Sequence, residues 1–537
     1  MKVRFFLVLI LVLAFFSRFY RFDLSPPSLY WDEVAIGYNA WSILTTGADE
    51  YGHRLPLSFK SFQDYKLPGF IYSIIPFIKL WGLAERSVRL PSIILGTLSV
   101  LFLFLLISQI ANKKVALLSA LFLAISPWAI QFSRAGFEVN AGVTITLGGI
   151  YFLLKGKFSN KWLFVGIILS VLSMYFYYTN RIFIPLFMLC YIPLFWQKWK
   201  RIKKELTLLL FLGILLSLPL FIFSSSYSRF SQVSLFSDPQ IYSFSAEERV
   251  FDQNSLLARV LHNKYLVFGK ELLNNYLSYY SPDFLFLRAD GNPRHGVPGV
   301  GLLYFWQLPF LIYGIYKLIQ IRNSSLKILL PWVLFAPIAA SLAQPSPHAL
   351  RGLLLMPVLS VFTAYGLYYF YKNINSVLKI LTNTVLVGIV FYSMINYYHQ
   401  LFIHYPIYSS RDWAYGYKQV FSFLKGRLTD YQNIYITGKY WRPYIFALFY
   451  LQYPADKYQQ KPSHNKIENI YFGYADYDTS DPYYDYGSME FIRDKIRYTP
   501  GSLLILSPSE KGAGDYVIKT IPDLKGEPLF LIVATKS

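Results

Sequence analysis

About eleven stretches of this 537-residue chain are apolar over roughly the length that a helix needs to cross a bilayer, and that recurrence leaves few folds open. They lie near residues 4–20, 90–110, 115–132, 139–155, 162–179, 182–197, 206–223, 299–320, 328–343, 352–371 and 379–398. Composition agrees, since 54% of residues are hydrophobic and 15% are charged, against roughly one quarter charged in soluble domains. The chain reads as a polytopic membrane protein.

A formal net charge of +21 fits nucleic acid, an anionic surface or an orientation signal equally well until the basic residues are located. They cluster in the short connections "ANKK", "KGKFSNK", "QKWKRIKKE", "KLIQIRNSSLK" and "YKNINSVLK", whose one acid is Glu205. Excess Lys and Arg mark cytoplasmic loops, so these connections and the N-terminus are expected inside. Residues 21–89, "SRAGFEVN", "TNR", residues 224–298, "QPSPHALRG" and everything after about 400 are then expected outside. Basic residues scattered over many short loops also argue against nucleic acid as a partner. The opening "MKVRFFLVLILVLAFFSRFYRF" has no small-x-small cleavage site before Arg18 and Arg21, and is read as a retained first span. Cys190 stands alone in an apolar run, which leaves no disulfide framework and no CxxC metal site.

After residue 400 the apolar runs shrink to strand length in "NIYITG", "ENIYFGY", "SLLILSP" and "PLFLIVAT", with helical patterns in "WAYGYKQVFSFLKG" and "RPYIFALFYLQY". The expected division is a membrane domain over 1–400 and a small extracytoplasmic α/β domain over 401–537. The acids of "YADYDTSDPYYDYG", Asp476, Asp478, Asp481 and Asp485, are read as a solvated loop. They lack the Gly and Glu positions of a calcium loop.

Charges at the outer ends of spans carry the functional reading. "SLYWDEVAIGYNAW" places Asp32 and Glu33 in the first turn of a helix, where negative charge suits the dipole whatever else it does. "QDYKLPGFIY" sets Lys66 just before a Pro68 and Gly69 that open an apolar helix. "FSRAGFEVN" puts Arg134 and Glu138 four apart, as on one helical face. "QPSPHALRGLLLMP" carries His348 and Arg351, and "YYSPDFLFLRADGNPRHGVPGVG" is a Gly-, Pro- and aromatic-rich loop that brings Arg294 and His295 within reach of a bound phosphate, as a lid would. Taken singly, each is explained as helix-end chemistry, an interfacial anchor or an inert loop. Taken together, acids beside cations on one membrane face describe a site that activates a nucleophile next to a bound anion. Nucleotide sugars are cytoplasmic, so an outward-facing transferase needs a donor anchored in the bilayer, and a lipid-phosphate-linked sugar meets that need. Lys and Arg would hold its phosphate, and an Asp would take the proton of an acceptor hydroxyl, help of a kind that contributes roughly 10²- to 10⁴-fold.

At these positions the sequence resembles the GT-C integral-membrane glycosyltransferases, in particular the protein O-mannosyltransferase and aminoarabinose-transferase branch, glycosyltransferase family 39. The resemblance rests on "WDEVAIGYNA", on "YKLPGF" at the place of the family's Lys-Pro-Pro segment, on the "RLPS" of Arg89 to Ser92, and on "FSRAGFEVN". It implies a mainly α GT-C fold of about eleven transmembrane helices. By position it implies Asp32 as catalytic base, Glu138 at the acceptor site, and Lys66 and Arg351 on the lipid phosphate; the residues' own places on the outer face add Glu33 as a catalytic group beside Asp32, and Arg134, His348, Arg294 and His295 as further phosphate candidates. The four principal residues, Asp32, Lys66, Glu138 and Arg351, are expected to converge. The implied reaction is an inverting transfer of sugar from a polyprenyl-phosphate-linked donor to a hydroxyl of a protein or envelope glycolipid. No metal ligand is assigned, and a divalent-metal requirement stays open. The alternatives are a transporter or lipid flippase, which would carry its ionisable residues nearer the bilayer midplane, and a related glycan polymerase or ligase.

Overall fold

A computed structural model of the chain describes residues 2–62, 64–156, 159–194, 203–222, 234–440, 442–473 and 489–535. All of "YADYDTSDPYYDYG", and most of the basic "QKWKRIKKE" connection, lie outside them. The chain forms two compact units, one of residues 1–20, 93–133 and 137–398, the other of residues 21–92, 134–136 and 399–537. The sequence division set 401–537 apart; the second unit also takes in 21–92 and 134–136.

The first unit is helical among its described residues, and small residues set its packing. Gln307–Gln320 lies against Leu355–Asn373, where a Cβ on Gly314 would meet the Phe362 carbonyl and one on Gly366 the Phe310 carbonyl at under 2 Å. Only glycine permits that approach, the usual device where helix backbones touch without a hydrophobic drive between them. Glu138–Lys155 packs on Asn160–Met174 in the same way, with Gly166 against the Leu153 backbone.

The apolar stretch 115–132 is not one straight helix. Lys113–Ile125 and Pro127–Arg134 meet at 54°, because Pro127 has no N–H for the Leu123 carbonyl and the Trp128 N–H turns to Leu302 O instead of Ala124. Both orphaned carbonyls are taken by the buried Arg18, whose guanidinium donates to Leu123 O at 3.4 Å and Ala124 O at 3.1 Å. The arginine that argued against cleavage of the first helix thus repairs a break in another. Stretch 299–320 becomes helical only at Gln307, and 328–343 splits into Leu326–Phe335 and Ile338–Ser341. Among the described residues, two helices are long and apolar enough to cross a membrane, Glu85–Ile110 and Ser376–Tyr408, or three if the bent pair counts as one. The figure of eleven counts apolar stretches, several of which form helices of 10–17 residues.

The second unit joins the helices Trp31–Thr46, Pro68–Trp81, Pro443–Tyr450 and Ala455–Gln460 to a six-stranded sheet. In the sheet, Ile434–Ile436 lies between Ile470–Phe472 and Leu503–Leu506 in parallel register, with antiparallel strands outside them. The central strands are buried throughout, as parallel strands must be. All four strand-like runs of the sequence appear. Tyr516–Pro522 is an added edge strand that its lysine and terminal proline concealed. Gly37 lets the Trp31–Thr46 helix seat against Phe449 and Val88, which a Cβ there would meet at 2.7 and 2.8 Å.

Candidate active site

The helix Trp31–Thr46 begins where Tyr30, extended at φ −79°, hands over to Asp32 and Glu33 in the first turn. Glu33 Oε2 accepts the Tyr30 backbone N–H at 3.0 Å, which caps the helix and leaves Glu33 facing inward and Asp32 outward. Asp32 Oδ1 then meets Lys66 Nζ at 2.5 Å. Lys66 ends the hairpin Phe59–Ser61/Asp64–Lys66, and Leu67 and Pro68 start the next helix at once, packed on the Trp31 helix. Backbone on both sides therefore fixes the lysine stem. The carboxylate is 35% exposed and the lysine 7%, a pair in which the acid faces outward while the cation stays anchored.

Glu33, expected beside Asp32 as a catalytic group, is engaged on both oxygens. Oε1 accepts from Arg89 Nε at 3.0 Å and from the Gly136 N–H at 2.7 Å, and Oε2 accepts from Arg89 Nη2 at 3.2 Å as well as from Tyr30. Arg89 also donates to the carbonyls of Phe22, Pro26 and Ser28. Both side chains are nearly sealed, at 1% and 2% exposure. This fork holds the 22–28 segment, the helix start and the 134–136 turn together. Sequence reading passed over Arg89 as a site residue, although it stands in the quoted "RLPS". Its partners lie about sixty positions away and are mostly carbonyls, which no pattern of side chains discloses.

Arg134 and Glu138 do not share a helical face, because the helix Pro127–Arg134 ends and a new one starts at Glu138. The buried Arg134 donates to the carbonyls of Ser25 and Arg21 and stacks on Phe402. Glu138, half-buried, heads its own helix, where a carboxylate opposes the positive dipole end.

Asp32, Glu33, Lys66 and Arg134 belong to the second unit; Glu138, Arg294, His295, His348 and Arg351 belong to the first. In the first unit, Asp290 Oδ2 accepts from His295 Nδ1 and from the Ala349 N–H, each at 2.7 Å, and lies 3.9 Å from His348 Nδ1. Burial opposes the charge on Asp290, but the hydrogen bonds from His295 and Ala349 outweigh it and hold the carboxyl below its ordinary range. His348 is held well below the ordinary imidazole range by burial first, then by His295 and Arg351. Burial also depresses His295, against the pull of Asp290. Burial thus disfavours the charged form of both rings. Arg351 donates to the carbonyls of Gln344 and Pro345, and Arg294 is half-buried. Asp290 went unread in the sequence because "RADGNP" has the look of a turn.

Glu50 was also passed over. It is fully buried, with Oε1 accepting from Asn39 Nδ2 at 3.0 Å, and burial pushes its carboxyl up to about 8, eased by Asn39 and Lys66. A raised folded value means that the folded chain holds this proton more tightly than the unfolded one. Its contribution to stability is complete below about pH 4.5 and is lost as pH rises through about 8. Glu50→Gln, which cannot ionise, should flatten the decline in melting temperature between about pH 5 and 9 that linkage assigns to this group. An unchanged slope in a pH series of thermal melts would place the titration elsewhere.

The chain is mostly helical, with a sheet in its C-terminal region, and resembles GT-C fold proteins. Residues 66–224 match the family described as dolichyl-phosphate-mannose-protein mannosyltransferase. No curated protein matches the sequence. Among solved structures the chain is similar to ArnT from Cupriavidus metallidurans bound to undecaprenyl phosphate, at 12% identity and TM-score 0.56, covering 100% of this chain and 98% of that one. It is similar to the Archaeoglobus fulgidus oligosaccharyltransferase in the apo form at 13% identity and TM-score 0.51, over 94% of this chain and 69% of that one. Against the oligosaccharyltransferase AglB from A. fulgidus, in complex with an inhibitory peptide and a dolichol-phosphate, the values are 13% and 0.49, and the match covers 84% of this chain and 64% of the AglB chain. The GT-C resemblance drawn from the residues is borne out by the family match and the shared fold.

Proposed function

We propose that the protein is an inverting glycosyltransferase that moves a sugar from a polyprenyl-phosphate-linked donor to a hydroxyl of a protein or envelope glycolipid on the outer face of the membrane. The observation that carries this reading is the Asp32–Lys66 pair, an accessible carboxylate held on an anchored ammonium. The match of residues 66–224 to a family of lipid-phosphate-sugar transferases supports it. So does the similarity in fold to ArnT, which is bound to undecaprenyl phosphate. The acceptor oxygen attacks the anomeric carbon as Asp32 takes its proton, and the bond from that carbon to the phosphate oxygen breaks. The leaving phosphate carries its own charge, so it needs a cation more than an acid, and Lys66 supplies one. Glu138 is proposed to serve the acceptor and Arg351 the phosphate. Glu33 is proposed to position Asp32, being bound to Arg89 on both oxygens.

Binding of the product lipid tests the phosphate role apart from turnover. Polyprenyl phosphate should raise the melting temperature of the purified protein. Lys66→Met should weaken that binding on the order of 10- to 100-fold, the worth of one charge-assisted hydrogen bond. Equal affinity in the two proteins would remove Lys66 from the donor site.

A further inference from the structure

We propose that Asp290, His295 and His348 form a zinc site that joins the 289–299 loop to the 344–352 segment. One ligand atom from each residue lies within 4.8 Å of the others, and two imidazoles with a carboxylate are a donor set zinc accepts, leaving a fourth position for water. Tetrahedral zinc with bonds of about 2.0–2.1 Å keeps its ligands roughly 3.3 Å apart. The present separations of 2.7 and 3.9 Å from Asp290 Oδ2 fall on either side of that figure, so insertion needs the side chains to adjust.

Two further observations point to an ion. His348 Nδ1 is buried with no hydrogen-bond partner among the described residues, and a polar atom left in that state is destabilising unless something meets it. The backbone around the cluster is already held. The His348 N–H donates to Tyr279 Oη, the Ala349 N–H to Asp290, and Trp128 Nε1 to the Ala349 carbonyl, while His295 lies against Phe132 and Phe137.

The test uses the full chain purified in detergent and stripped with a chelator. Zinc added back should bind at about one equivalent and raise the melting temperature, and cobalt(II) should give the d–d absorption of a tetrahedral site. His348→Ala and Asp290→Asn should each weaken zinc at least about 100-fold. If a variant fails to fold, the wild-type cobalt spectrum decides by itself. Less than a tenth of an equivalent bound at saturating zinc, an octahedral cobalt spectrum, or zinc retained unchanged in folded His348→Ala would each overturn the proposal. These readouts are independent of sugar transfer, so the zinc site stands or falls apart from the proposed activity.

Discussion

Arg89→Ala is expected to lower the stability of the second unit by about 3–5 kcal/mol, the usual consequence of removing one partner from a buried ion pair. Glu33 would keep its bonds from Tyr30 and Gly136 but lose both from the guanidinium, and the carbonyls of Phe22, Pro26 and Ser28 would lose their donor. For a unit of this size the melting temperature should fall by on the order of 10 °C in a detergent melt. The double replacement Glu33→Gln with Arg89→Met should cost less than the sum of the single ones, since it removes both charges together. Strict additivity of the two would mean that the fork is not a coupled pair. Reduced transfer in Arg89→Ala with normal lipid-phosphate binding would show further that the fork acts by aiming Asp32.

Much of this was legible before any coordinates. Apolar runs became helices because a buried or lipid-facing segment has no other way to satisfy its backbone, and the four short β-rich runs became strands because they are buried on both faces. Asp32 and Lys66 were singled out by charge type and position, although a sequence separation of 34 hid the contact. Other features were beyond reach for a physical reason. The Arg89 fork and the Arg18 patch bind main-chain carbonyls, and every residue carries one of those. Arg134 and Glu138 misled by spacing, since four residues suggest one helical face only while the helix continues, and here it breaks at 135–137. His295 and His348 were read as phosphate candidates, while Asp290, which lies near both, went unread.

Asp32→Asn keeps the shape of the side chain and loses its basicity, so transfer should fall by roughly 10²- to 10⁴-fold, or about 3–5 kcal/mol of barrier. The capping bond and the Arg89 fork belong to Glu33, so the variant should fold and bind polyprenyl phosphate. Lys66 would keep a neutral partner in place of a charged one, and donor affinity should change little or rise. The deciding measurement is the initial rate of transfer from a synthetic polyprenyl-phosphate sugar at saturating donor, wild type beside Asp32→Asn, in one lipid reconstitution. A rate reduced at least about 100-fold with lipid-phosphate binding intact is the predicted result; a variant turning over within a few-fold of wild type would contradict the assignment of Asp32 as the base.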